Sequence, residues 1–167
     1  MAEIVTYRRA APADQPAIER VLRAAYAEFS YVLEPDGWHE LMQKLTEPTG
    51  LNELLMGAVA FVAEAEEGPV GVIFWIPSGQ ATDVFPAQWS YIRKLGVDPA
   101  YRGQGIGRRL TELCLDEARR RGESVVALQT SEMLGVARAM YEQFGFVEVK
   151  DLRPEFGIRS ALYARQL

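Results

Sequence analysis

The sequence predicts an α/β (α+β) fold, a mixed β-sheet with helices on both faces, in one domain over residues 1–167. Three observations predict it. Apolar residues switch along the chain between a period of two and a period of about 3.6, giving the order β-α-α-β-β-β-α-β-α-β-β. Hydrophobic residues are 49% of 167, enough for a real core, and that length suits one domain of roughly 100–200 residues. No apolar run approaches the ~20 residues that a membrane-spanning helix needs.

Each element has its own signal. Ile4, Thr6 and Arg8 alternate with Val5 and Tyr7, a short strand. Ile18, Val21, Leu22, Ala25 and Phe29 recur at helical spacing behind Asp14 and Pro16, which suit a helix start. A second helix is expected from Asp36 to Leu45, with Trp38, Leu41, Met42 and Leu45 on one face. Gly57–Ala65 and Val70–Ile76 are β-rich runs joined by Glu66-Glu67-Gly68-Pro69, a hairpin. Pro77–Pro86 is a polar and aromatic loop, and Trp89–Val97 a further strand. Ile106, Leu110, Leu113, Cys114 and Ala118 mark a helix face that Gly122 ends. Val125–Leu128 is a short buried strand. Met133, Ala137, Met140, Tyr141 and Phe144 mark the last helix, stopped by Gly145. Phe146–Val149 and Ile158–Ala164 close the chain as strands with a turn expected around Arg153-Pro154.

Composition narrows the function classes. The charge sum is 18 − 23 = −5 and the pI about 5.0, the opposite of a nucleic-acid-gripping domain. Cys114 is the only cysteine and His39 the only histidine, so an intrachain disulfide and a cysteine-based zinc cluster are excluded and no metal is expected. The N-terminal MAEIVTYRRAAPADQ lacks the apolar core of a signal peptide. A cytoplasmic protein with no membrane and no nucleic-acid partner is expected.

The segment from Val97 to Arg109 is the most informative. It links a strand to a helix and places Gly103, Gly105 and Gly107 just before the helix start. Pro99 holds Asp98 extended and helps to end the strand. Successive N–H groups at such a turn can point at one anion, aided by the helix dipole. Arg102 and Arg108 add charge and forked donors. The loop therefore suits a pyrophosphate. It is not a P-loop, because Arg108 and Arg109 follow Gly107 where Lys and Ser/Thr are required. It is not a dinucleotide fingerprint, because Arg108 occupies the third glycine position. A plain glycine-rich turn remains the alternative. In the preceding strand Leu95 and Val97 are in phase while Ile92 is one residue out. That slip fits a β-bulge or an edge strand of mixed pattern.

Val97-x-Pro99-x-x-Arg102-Gly103-Gln104-Gly105-Ile106-Gly107 resembles the acetyl-CoA signature of the GNAT superfamily of N-acetyltransferases, and Ala137-x-x-x-Tyr141-x-x-x-Gly145-Phe146 is similar to its second motif. The resemblance covers essentially the whole chain. It departs at Leu134, where many members carry Asn seven residues before the tyrosine. It implies a mostly antiparallel central sheet of six to seven strands, flanked by about four helices, with a cleft where two strands splay. It implies acetyl-CoA as cosubstrate, its pyrophosphate on the backbone of Arg102, Gly103, Gln104, Gly105, Ile106, Gly107 and Arg108. Pantetheine would lie along Leu95, Gly96 and Val97, and Ala137 would contribute from the last helix. The Leu95 N–H would polarise the thioester carbonyl and Tyr141 would protonate the departing thiolate. A thiol titrates near ~8.5 and a phenol near ~10, so this transfer is feasible.

Other residues keep two readings. On spacing alone Tyr141 shares an apolar face with Ala137 and Phe144, as a core tyrosine would. Glu28, Glu34 and Asp36 fall where the family frames its acceptor, with no motif that marks one as a base. Gln129, Thr130 and Ser131 end a central strand and could orient an amine. Tyr26, Phe29, Tyr31, Trp38, Phe85 and Trp89 are either acceptor-pocket wall or core. Arg119-Arg120-Arg121 suits a helix C-terminus without any nucleic acid, and Cys114 reads as a buried small hydrophobe. The expected activity is acetyl transfer from acetyl-CoA to a primary amine of a small molecule or peptide, by direct attack in a ternary complex. The competing reading is a non-catalytic acyl-CoA-binding or sensing domain. A homodimer is expected through the terminal strands, with Phe156, Ile158, Leu162 and Tyr163 as apolar contacts.

Overall fold

The computed structural model describes residues 3–167. Its strands are β1 (Thr6–Arg9), β2 (Val59–Ala65), β3 (Gly68–Ile76), β4 (Ser90–Val97), β5 (Val125–Ser131), β6 (Val147–Glu155) and β7 (Ile158–Gln166). Its α-helices are α1 (Gln15–Tyr26), α2 (Pro35–Thr46), α3 (Pro48–Gly57), α4 (Ile106–Arg120) and α5 (Gly135–Gln143). The strands form one sheet in the order β1-β2-β3-β4-β5-β7-β6. The β1–β2, β5–β7 and β6–β7 ladders are antiparallel and β4–β5 is parallel, the mixed, mostly antiparallel sheet expected. Among the described residues no helix is long and apolar enough to cross a membrane.

Two compact units divide the chain. One runs through Phe74 and takes in Lys94–Leu113; the other joins Trp75–Arg93 to Cys114–Leu167. In the first unit, Ile18, Val21, Leu22 and Ala25 are the buried stripe of α1, as their spacing requires. Helix α3 was not foreseen, and the strand expected from Gly57 begins instead at Val59. The signals were present: Pro48 opens the helix and Glu47 caps it, its carboxylate accepting from Thr49 N at 3.0 Å and Gly50 N at 2.7 Å. Leu51 and Leu55, one turn apart, are its buried face. Arg8 of β1 donates to Asp14 at 2.8 Å and to Glu64 of β2 at 2.7 Å, tying the first strand pair to the start of α1.

Helix α4 is seated by an absence of side chain at Gly71. A Cβ there would stand 2.9 Å from Ile106 Cγ2, 3.2 Å from Leu110 Cδ1 and 3.3 Å from the Ala63 Cβ. The Ile106 methyl is β-branched and stiff, so it yields little. Gly71→Ala is expected to destabilise the protein by about 1–3 kcal/mol through overpacking, measured as a lower denaturant midpoint at constant m-value. An unchanged midpoint would show that α4 shifts freely.

In the second unit Phe85 stacks on Tyr91 with ring centroids 4.1 Å apart, above Val125, Ala127, Leu162 and Ala164. Trp75 is fully buried, with the Arg121 guanidinium 5.3 Å from its ring centroid. The basic run is neutralised locally: Arg119 pairs with Asp116, and Arg120 and Arg121 with the buried Glu117. Burial raises the Glu117 pKa, yet the hydrogen bonds from both arginines hold it below the usual carboxylate value.

Two expectations are corrected here. The last turn falls at Phe156-Gly157, not at Arg153-Pro154. Phe156 and Gly157 both have positive φ, 53° and 75°, between the paired Glu155 and Ile158, which is the two-residue turn that matches strand twist. Pro154 instead lies within β6, the sheet edge, where a missing N–H is tolerated, beside an irregularity between Leu152 and Glu155. Leu162 and Tyr163 are buried in their own unit, at 2% and 7% exposure, so they offer no apolar contact to a second chain. The exposed apolar residues of the edge strand are Val147 and Val149.

Candidate functional site

The first unit carries the strand and the loop. β4 breaks its period at Lys94, a non-glycine residue in the left-handed region at φ 54°, which accounts for the phase slip between Ile92 and Leu95. A side chain there costs of order 1 kcal/mol and persists only if its surroundings hold it. Two ties do so. The Lys94 ammonium donates to the carbonyls of Lys44 and, at 3.3 Å, Leu45, in the last turn of α2. The Tyr26 hydroxyl donates to the Leu95 carbonyl at 2.9 Å. Gly96 then meets α1: a Cβ on it would lie 3.0 Å from Leu22 Cδ2 and 3.2 Å from the Ala25 Cβ. Its bareness thus serves helix packing within this unit.

The loop after β4 is anchored in its first half. Asp98 N donates to Val70 O at 2.8 Å, and the Asp98 carboxylate accepts from Ala100 N at 2.9 Å. The Tyr101 hydroxyl donates to Glu3 at 2.7 Å; that bond raises the phenol's pKa and lowers the carboxyl's. Arg102 was expected to face a phosphate, but its guanidinium is engaged with Glu28 at 2.9 Å and with the Ala25 carbonyl at 2.7 Å. It acts as a strut from the loop to the end of α1, and its backbone N–H donates to the Pro99 carbonyl at 3.3 Å. The second half is exposed. Gly103 and Gly105 take φ of 79° and 78°, and a Cβ on either would meet nothing within 4 Å. Ile106, 2% exposed, then starts α4, and Arg108 is exposed on its first turn. Thr111 back-bonds to Gly107 O at 2.8 Å and stiffens that turn. Alternate left-handed glycines ahead of a helix start, whose first N–H groups have no partner within the helix, form a concave turn of a geometry suited to an anion.

The second unit carries the remaining candidates. Tyr141 is buried at 6% exposure and meets the Phe146 ring edge-on at 5.7 Å. Ala137, one turn earlier, is half-buried. On β5, Gln129 donates to Ser160 Oγ at 2.9 Å, while Thr130 Oγ1 and Ser131 Oγ are buried without a hydrogen-bond partner among the described residues. Cys114 is buried, and burial, then the Glu117 charge, pushes its thiol well above the usual value, so it is no nucleophile.

The aromatic candidates separate. Tyr26 and Phe29 pack together with ring centroids 5.7 Å apart, whereas Phe85 belongs to the core with Tyr91. Tyr31 is 95% exposed, and Trp38 is half-buried. Glu28 is taken by Arg102; Glu34, Asp36 and His39 are exposed around the start of α2. The ties from Tyr26, Lys94 and Gly71 were not foreseen, and no local sequence signal marks them.

Comparison with known proteins identifies the family and the fold. Residues 57–148 match the family model of the acetyltransferase (GNAT) domain. The uncharacterized N-acetyltransferase YjgM of Escherichia coli (strain K12) is 30% identical over 149 residues, covering 85% of this chain and 81% of that protein. The crystal structure of PaiA N-acetyltransferase from Thermoplasma acidophilum in complex with coenzyme A superposes with a TM-score of 0.80 at 13% identity, over 98% of this chain and 99% of that one. NAA60 of Arabidopsis thaliana in complex with acetyl-CoA gives a TM-score of 0.75 at 16% identity, over 98% and 99%.

Proposed function

Since the chain belongs to the GNAT family of acetyltransferases, we propose that it is a single catalytic domain that moves an acetyl group from acetyl-CoA to a primary amine by direct attack in a ternary complex. The observation that carries this reading is the exposed loop with left-handed Gly103 and Gly105 at the start of α4. Backbone N–H groups from Gly103 to Arg108 would hold the pyrophosphate, with the helix dipole favouring its charge; the Arg102 N–H is engaged with the Pro99 carbonyl. Leu95, Gly96 and Val97 would hold the pantetheine arm. Ala137 would flank it from α5.

Acetyl-CoA supplies the acetyl group already activated as a thioester. The Leu95 N–H would donate to the carbonyl oxygen as negative charge develops there, the step where a fixed donor is worth most. As the C–N bond forms and the C–S bond breaks, the Tyr141 hydroxyl would give its proton to the departing sulfur, and the proton lost by the amine nitrogen would pass through water and restore the phenol. The acceptor amine must arrive neutral to attack. The relatives named as N-acetyltransferases support an amine acceptor as a class.

The test is free-thiol formation from acetyl-CoA with a panel of amino acids, polyamines, aminoglycosides and peptides. Turnover above the amine-free background with at least one class is expected. Calorimetric binding of acetyl-CoA with no turnover on any of them would overturn the enzymatic reading in favour of an acyl-CoA sensor.

A further inference from the structure

We propose that Tyr26 is a positioning residue for acetyl transfer: its hydroxyl, bonded to the Leu95 carbonyl at 2.9 Å, sets the backbone of β4 so that the Leu95 N–H faces the acyl group. The inference rests on the reading of Leu95 as the polarising donor. Its observations are independent of that reading.

A strand is locally soft where one residue leaves the extended region for the left-handed one. Here the softness falls at Lys94, immediately before the donor N–H. Two planar peptide groups flank Leu95: the one before it carries the Leu95 N–H, and the one after it carries the Leu95 carbonyl. The Lys94 ammonium, bonded to the end of α2, holds the residue before it. The Tyr26 phenol holds the peptide group that follows. With the Lys94 side chain anchored before Leu95 and the Leu95 carbonyl anchored after it, the swing of the peptide plane that carries the Leu95 N–H is restricted. Preorganised donors stabilise an oxyanion because they need not reorient as charge forms.

Tyr26 is built for this task. Its ring lies against Gly96, with Cε2 3.8 Å from where a Cβ would stand, and packs against Phe29 with ring centroids 5.7 Å apart. Burial pushes the phenol up to about 12, so it remains a hydrogen-bond donor throughout the pH range of amine acetylation. The same helix end receives Arg102 on the Ala25 carbonyl at 2.7 Å. One turn of α1 therefore holds both the strand and the phosphate loop of this unit.

The test is Tyr26→Phe, which keeps the ring and removes only the hydroxyl. Single-turnover acetyl transfer is expected to slow about tenfold, less than the ~10²–10³ lost when an oxyanion donor is removed outright. KM and calorimetric Kd for acetyl-CoA should stay within about twofold, since the donor acts mainly in the transition state. Hydrogen exchange of the Leu95 and Gly96 amides should quicken, with β2 amides unchanged. Ile18→Val in the buried stripe of α1, matched for loss of melting temperature, should leave the rate at the wild-type value. A wild-type rate in Tyr26→Phe with unchanged Leu95 exchange would overturn the proposal. So would an equal fall in rate for Ile18→Val, which would make Tyr26 merely structural. If the wild type turns over no amine, the function and the catalytic part of this role fall together by that measurement, and exchange then reads only the ordering of β4 by Tyr26: unaltered Leu95 and Gly96 exchange overturns it, faster exchange upholds it.

Discussion

Tyr141→Phe is expected to slow acetyl transfer by roughly 10²–10⁴, the span usually lost with a general acid. The substitution leaves the edge-on contact with Phe146 at 5.7 Å and nearly all of the buried surface in place. Stability should fall by only about 1 kcal/mol, the worth of one hydrogen bond. Acetyl-CoA affinity should hardly change, because the proton moves only in the transition state. A core tyrosine predicts the reverse pattern, full turnover with a lower melting temperature. The two roles thus appear in different quantities, and one variant decides between them. Thiol formation should be followed in a single turnover, so that slow product release does not hide the chemical defect. Full single-turnover rates in this variant would end the assignment of Tyr141 as the acid.

Gly105→Val should weaken coenzyme A binding at least tenfold, on the order of 1.4 kcal/mol or more. The structure changes the reason for this expectation. A Cβ at Gly105 would meet nothing within 4 Å, so the protein itself does not exclude a side chain. The penalty comes from the backbone: at φ 78° a β-branched residue is strongly disfavoured. Valine therefore pulls the loop out of its cradle conformation. Gly105→Asn separates conformation from bulk, because asparagine visits the left-handed region readily. If conformation alone matters, asparagine binds near the wild-type value while valine does not. If the missing Cβ also makes room for the phosphates, both lose affinity. Calorimetry with folded variants reads the difference, and an unchanged affinity in Gly105→Val would refute the cradle.

Much of the fold was legible because periodicity is local. The buried stripe of α1 follows from Ile18, Val21, Leu22 and Ala25 alone, and the phase slip between Ile92 and Leu95 showed an irregular strand, although it did not single out the left-handed Lys94. Helix α3 was missed because its apolar face is short. Leu51 and Leu55 alone are fully buried in ten residues, and the β-rich run that follows drew the boundary to Gly57. The last turn was misplaced because Pro154 is a strong local punctuator, whereas a phenylalanine at positive φ is not a residue that a turn rule selects.

The sequence by itself determined the class of fold, the loop with Gly103 and Gly105 at a strand-to-helix junction, and the family to which those motifs belong. These are properties of short segments, where residue type sets backbone preference directly. Only the tertiary structure decided what the neighbouring side chains do. Tyr26 reaches Leu95 across 69 positions and Arg102 reaches Glu28 across 74; Gly96 and Gly71 are bare because α1 and α4 come to lie against them. A contact between distant positions depends on where folding brings two backbones, and no local preference records it. The glycine loop could therefore be read from its residues, while the supports that hold it in shape could not.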